Sequence, residues 1–109
     1  MRINMAEDYT DTPGGRYISQ GPFSGEDFRN KILIPALKNA ISNNKEKLEI
    51  DFDGVYGYGV SFLEESFGGL IREGFKYNDI KKYIIFISNE DDTIIPKIEK
   101  YLKEANDRL

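Results

Sequence analysis

The chain has 109 residues and a formal net charge of −4, from 15 Lys and Arg against 19 Asp and Glu, so one hydrophobic core and a single domain over residues 1–109 are expected. It contains neither Cys nor His, which excludes disulfides, thiolate and imidazole metal sites, and Ser-His or Cys-His nucleophile pairs. The acidic residues are scattered and no basic face for a phosphate backbone stands out, while no apolar stretch approaches a membrane span and Met1 to Met5 does not open a signal peptide; the expectation is a cytoplasmic protein with no nucleic-acid or membrane partner, no cofactor and no bound metal.

Met1, Ile3 and Met5 alternate with polar residues, which predicts a first strand over 1–5. The turn Thr12-Pro13-Gly14-Gly15 then predicts a hairpin whose second arm is Arg16-Tyr17-Ile18-Ser19, ended by Gly21-Pro22. Ser24 is placed to cap a long helix, with Glu26 and Asp27 in its first turn and Phe28, Ile32, Leu37, Ala40 and Ile41 at helical spacing. Pro35 removes a backbone donor inside that run, so a kink or two tandem pieces are expected before Asn43-Asn44 stops it.

Leu48 to Phe52 alternates and ends at Asp53-Gly54, the pattern of a strand. A helix follows from Ser61 to Glu73, with Leu63, Phe67, Leu70 and Ile71 on one face and Gly74 closing it. Tyr83 to Ile87 is a continuous β-branched and aromatic run, expected to be a central strand covered on both faces. Ile94, Ile98, Tyr101, Leu102 and Ala105 make the final helix, with Thr93 as its cap and Pro96 harmless in the first turn. The expected architecture is α/β: a small mixed sheet of about four strands with three main helices and right-handed crossovers in its second half.

Function is expected to gather between the third strand and the second long helix, where three glycines and two tyrosines occupy Asp53 to Ser61. That is the carboxyl end of a strand, where sites form in open α/β sheets. Ser61 and Glu64 have capping-box spacing, so a helix cap is the plain reading of Ser61 and a regulatory phosphoserine the sharper one. A phosphate there would be repelled by Glu64 and Glu65. Gly57 and Gly59 lack the third glycine and the Lys-Ser/Thr pair of a phosphate loop. Tyr56 and Tyr58 either pack under the loop or anchor a partner. Gly68-Gly69 costs about 1 kcal/mol per glycine relative to alanine, which tight packing against the sheet would explain. Asp51 and Asp53 share a strand face, and an acid pair or magnesium site there would need further ligands.

The same residues carry a resemblance. Gly14-Gly15-Arg16-Tyr17 with Gly21 to Arg29, the apolar spacing around Ile34-Pro35-Ala36-Leu37, and Ile50-Asp51-Phe52-Asp53-Gly54 through Gly57-Tyr58-Gly59-Val60-Ser61-Phe62-Leu63-Glu64-Glu65 to Phe67-Gly68-Gly69-Leu70 together resemble the STAS-like domains of unknown function. These are relatives of the bacterial anti-sigma-factor antagonists. The resemblance implies a STAS-like fold and a non-catalytic, protein-binding role in partner-switching regulation, acting with a histidine-kinase-like ATPase. In the antagonists a serine at the start of the matching helix is phosphorylated by such a kinase, and Ser61 stands at that place. Val60 replaces the preceding polar residue, Phe62 the small glycine after the serine, and Glu64-Glu65 adds charge. The residues implied for partner contact or regulation are Tyr56, Tyr58, Gly59, Ser61, Phe62, Glu64 and Glu65. Two other readings remain open: a nucleotide-binding or enzymatic domain using the glycine loop with Asp51 and Asp53, and a structural homodimer joined through a sheet edge.

Overall fold

A computed structural model describes residues 1–43 and 46–109. Among these, three strands, β1 (Arg2–Asn4), β2 (Leu48–Asp51) and β3 (Ile84–Ile87), form one sheet in the order β1-β2-β3, parallel throughout. The register aligns Ile3, Ile50 and Phe86 in one row and Arg2, Glu49 and Ile85 in the next. Side chains alternate across a strand, so the first row points into the core and the second away from it.

Helix α1 spans residues 25–43, α2 residues 60–72, α3 Tyr77–Tyr83 and α4 Ile94–Asp107. Both crossovers, β1 to β2 and β2 to β3, step the same way along the sheet, and right-handed connections then put α1 and α2 on one face. They pack on each other there, α4 packs on α2, and α3 lies against α1 and α4. Burial follows this arrangement: Ile3, Leu48, Ile50 and Ile84 are in the core, while Arg2 and Ile85 on the opposite face are exposed.

The expected hairpin does not form, and this removes the fourth strand and the mixed character of the sheet. Side-chain acceptors capture the backbone donors that a second arm would need: Gln20 accepts from the amides of Arg16 and Tyr17, and Glu26 accepts from Ile18. Ile18–Gln20 consequently winds into a single 3₁₀ turn. The first strand also stops early, because the Asn4 side chain accepts from the Glu7 amide and Met5–Tyr9 coils into one wide π-type turn. The strand expected to be central is an edge strand, and Tyr83 belongs to α3 rather than to β3. Helix α3 joins the three expected helices; its first-turn Asp79 and last-turn Lys81 and Lys82 match the helix dipole.

Helix α1 starts where expected, with the Ser24 hydroxyl accepting from the Asp27 amide at 3.1 Å. It stays continuous past Pro35 by widening: Arg29–Leu33 is a π-type turn in which the Ile34 amide reaches back to the Arg29 carbonyl. The missing proline donor is accommodated by local adjustment of the helix. Asn43 is its last described residue, and the remainder of the expected stop, Asn44, lies outside the described residues. Helix α2 ends as expected: Gly74, at φ +102°, lets its own amide reach the Ile71 carbonyl and that of Phe75 the Leu70 carbonyl, the closing bonds of a left-handed helix end.

The final helix buries all five expected residues, Ile94, Ile98, Tyr101, Leu102 and Ala105. Thr93 holds the N-cap position as expected, its carbonyl accepting from the Lys97 amide at 3.2 Å, but its side chain makes no capping bond; its hydroxyl and amide both go to Asp91. Among the described residues no helix is long and apolar enough to cross a membrane. Leu102 is wholly buried, so Leu102→Ala should cost about 2–5 kcal/mol. A denaturant midpoint that does not move would refute the packing of α4.

Candidate functional site

The cap of helix α2 lies two residues before the expected one. Gly59 precedes its first residue, Val60, and the Leu63 amide closes the first turn on the Gly59 carbonyl at 3.2 Å. Ser61 therefore lies within the first turn and accepts no capping bond; among the described residues its exposed hydroxyl has no hydrogen-bond partner. Glu64 falls at the fifth helical position, too far along to fold back as a capping-box residue. It turns sideways instead, to two arginines.

These arginines belong to a network that joins three parts of the chain. Arg16 Nη1 lies 2.6 Å from Glu64 Oε1 and 3.1 Å from Glu65 Oε1, and Arg72 holds Glu64 through Nη1 and Nη2 at 2.8 and 3.0 Å. Arg29, only 4% exposed, pairs with Glu65 Oε2 and donates to the Glu65 carbonyl at 2.9 Å. Burial works against the charged form of Glu64, yet the Arg72 and Arg16 hydrogen bonds prevail and hold its pKa below the ordinary carboxylic value.

The network explains the glycines. A Cβ on Gly69 would collide with the Arg29 Nη1 and stand 3.0 Å from its Cδ, and one on Gly68 would strike the Glu64 carboxylate. Room for charged side chains, not contact with the sheet, is what Gly68-Gly69 provides. Gly25 serves the approach of α1 to α2, since a Cβ there would sit 2.6 Å from the Phe62 carbonyl.

The sequence-derived site residues divide by exposure. Phe62 is core, its ring tilted against that of Phe28 with centroids 6.0 Å apart. Tyr58 is part-buried, donates from its hydroxyl to the Phe52 carbonyl at 2.8 Å, and burial pushes its phenol pKa up. Glu65 is buried in the arginine network. Tyr56, by contrast, is 88% exposed, and Val60 59%. Val60, Ser61 and Gly59 line one side of an open groove of about 710 Å³, with Gly15, Arg16, Tyr17 and Gln20 on the other side and Phe62 also lining it. Tyr17 and its neighbour Ile18 are exposed too. Sequence reading missed this second wall, because it assigned Arg16 to Ser19 to a strand.

Asp51 and Asp53 do not form an acid pair. Asp51 accepts from Arg2 and from the Asp53 amide, whereas Asp53 ties down the 88–90 loop through the amides of Asn89 and Glu90 and the Asn89 side chain. The Glu90 amide is the chief reason why the Asp53 pKa is lowered. No cluster of acids suited to a metal occurs among the described residues.

Two measurements test the network. Gly69→Ala should destabilise by about 1–3 kcal/mol, although alanine is the better helix former, because the Arg29 guanidinium has nowhere to go; a stabilised variant would refute the cradle. Because the folded-state pKa of Glu64 is depressed, its contribution is present above the unfolded value, about 4.3, and is lost as pH falls through the lower folded value. Glu64→Gln should flatten that acid limb of thermal stability, and an unchanged limb would show that Glu64 is not responsible.

A family model, the STAS-like domain of unknown function (DUF4325), matches residues 24–93. No curated protein and no solved structure matches the chain. The matched segment holds α1, β2, the loop from Asp53 to Gly59, α2, α3 and β3, and with them one wall of the groove and both glutamates of the network. By this match the chain belongs to the STAS-like domain family of unknown function.

Proposed function

We propose that the chain is a non-catalytic protein-binding module in partner-switching regulation, and that its partner docks on the groove between the Arg16 to Gln20 segment and the start of α2. The observation that supports this most directly is the exposed apolar rim there: Tyr17 and Val60 line the groove, and Ile18 adjoins Tyr17. Tyrosine and aliphatic anchors on a rigid support are the usual centre of a protein interface. The support is rigid because the Arg16 bonds to Glu64 and Glu65 fix one wall to the other.

A histidine-kinase-like ATPase in the cytosol is the partner this reading favours, in keeping with the resemblance to anti-sigma-factor antagonists. Ser61 lines the groove with an exposed, unpaired hydroxyl. Phosphorylation at that point would put about two negative charges on the docking surface. Tyr56, Gly59, Ser61 and Val60 then make contact, whereas Tyr58, Phe62, Glu64 and Glu65 shape the surface from below.

Calorimetric titration with a purified histidine-kinase-like ATPase from the same organism tests the proposal. Val60→Asp and Ser61→Asp should each weaken the complex about tenfold or more. Ser61→Ala should bind like the wild type and keep its stability within about 0.5 kcal/mol, since no capping bond is lost. Equal affinities for the wild type and both aspartate variants, all shown to be folded, would remove the groove from the interface.

A further inference from the structure

We propose that the chain forms a two-fold dimer through the open edge of β3, with the two β3 strands antiparallel and Phe86 opposite Phe86. Among the described residues no strand pairs with β3 on the side away from β2. The edge carries the run Ile84-Ile85-Phe86-Ile87 with no proline or charge within it. Proline and charge are two of the devices that blunt natural edge strands, and an apolar edge without them is a template for pairing.

Hydrogen-bond parity selects the register. The Phe52 amide donates to the Ile87 carbonyl at 2.9 Å, so the backbone groups of Ile87, and by alternation those of Ile85, face β2. Those of Ile84 and Phe86 face outward. Two antiparallel copies can exchange these outward groups when Phe86 meets Phe86 and Ile84 meets Ser88 of the second copy. In that register Ile85 lies opposite Ile87 of the second copy, both on the face away from the helices. Ile85 is 42% exposed and Ile87 half-buried, and pairing covers part of each.

Charge identifies the occupant as a second copy rather than another protein's strand. Lys81, which also pairs with Glu99, and Lys82 precede β3, and Glu90, which also accepts from the Gly54 amide, Asp91 and Asp92 follow it. Antiparallel self-pairing sets the basic end of each strand beside the acidic end of the other, at two symmetry-related places. Parallel pairing would instead bring like charges together. The groove at Val60 is a separate surface and takes no part.

A strand pair this short buries less than a standard interface, so a concentration-dependent dimer is expected. Sedimentation equilibrium between about 5 and 500 µM should show monomer passing to dimer. Ile85→Lys, on an exposed position, should raise the dissociation constant about tenfold or more. Lys82→Glu and Glu90→Lys, which this register sets opposite each other, should each weaken the dimer, and the two combined should restore it, with folding confirmed by circular dichroism and Val60→Asp leaving the dimer intact. A chain that stays monomeric throughout the range overturns the proposal. So does a dimer indifferent to Ile85→Lys, or a charge exchange that fails to rescue.

Discussion

The Arg29–Glu65 ion pair is the contact on which the arrangement of this domain depends. Both groups are buried, and a buried charge is tolerable only when it is paired and its remaining hydrogen-bonding capacity is used. Arg29 meets that condition through the Glu65 carboxylate and carbonyl, and Glu65 through Arg29 and Arg16. Because the guanidinium fork is planar and needs space, α2 must present a surface without side chains where it lies, and Gly69 is that surface. The distance between α1 and α2 is thereby fixed from the charged side by Gly69 and from the backbone side by Gly25 against the Phe62 carbonyl.

From that joint the position of the groove follows. Arg16 comes from a segment with little regular structure, yet it ends on the two glutamates that Arg29 and Arg72 also hold. The Gln20 side chain ties the amides of Arg16 and Tyr17, and Glu26 of α1 ties that of Ile18. A segment that would otherwise wander is thus anchored at both its side chain and its backbone. Its apolar residues, Tyr17 and Ile18, are left facing solvent. The aromatic contacts beneath continue the same rigidity: Tyr9 packs on Phe28, Phe28 on Phe62, Phe62 on Tyr58 and Tyr58 on Phe52.

What the sequence made legible were the features set by periodicity and by local caps. Leu102 and its helical neighbours, the Ser24 cap, the Gly74 termination and the strand at Leu48 all depend on residues near one another in the chain. What it hid were the competitions decided at a distance. Arg16 to Ser19 alternates in a way that suits a strand, and nothing local reveals that Gln20 and Glu26 will take its amides. Tyr83 to Ile87 has the composition of a central strand, but position in the sheet is set by the order of the crossovers, and the second crossover adds β3 outside β2. Gly68-Gly69 signalled a close approach without naming what approached, since Arg29 lies forty residues earlier. The groove was half legible for the same reason: its α2 wall was visible in Gly59, Val60 and Ser61, and its other wall was not.

The network also changes the electrostatics of Ser61. Read from sequence alone, Glu64 and Glu65 stand three and four residues along the helix and repel any anion added at the serine. In the folded chain they are not bare carboxylates. Arg16, Arg29 and Arg72 surround them, and Glu73, 3.5 Å from Arg29, brings the local acids to three against three arginines. An added negative charge at Ser61 thus meets a neutralised cluster on one side and the unsatisfied amides of the first turn of α2 on the other, and the second of these attracts it. The acidic pair that in sequence argues against a phosphate at this helix start is instead the anchor that holds Arg16, and with it the opposite wall of the groove the serine lines.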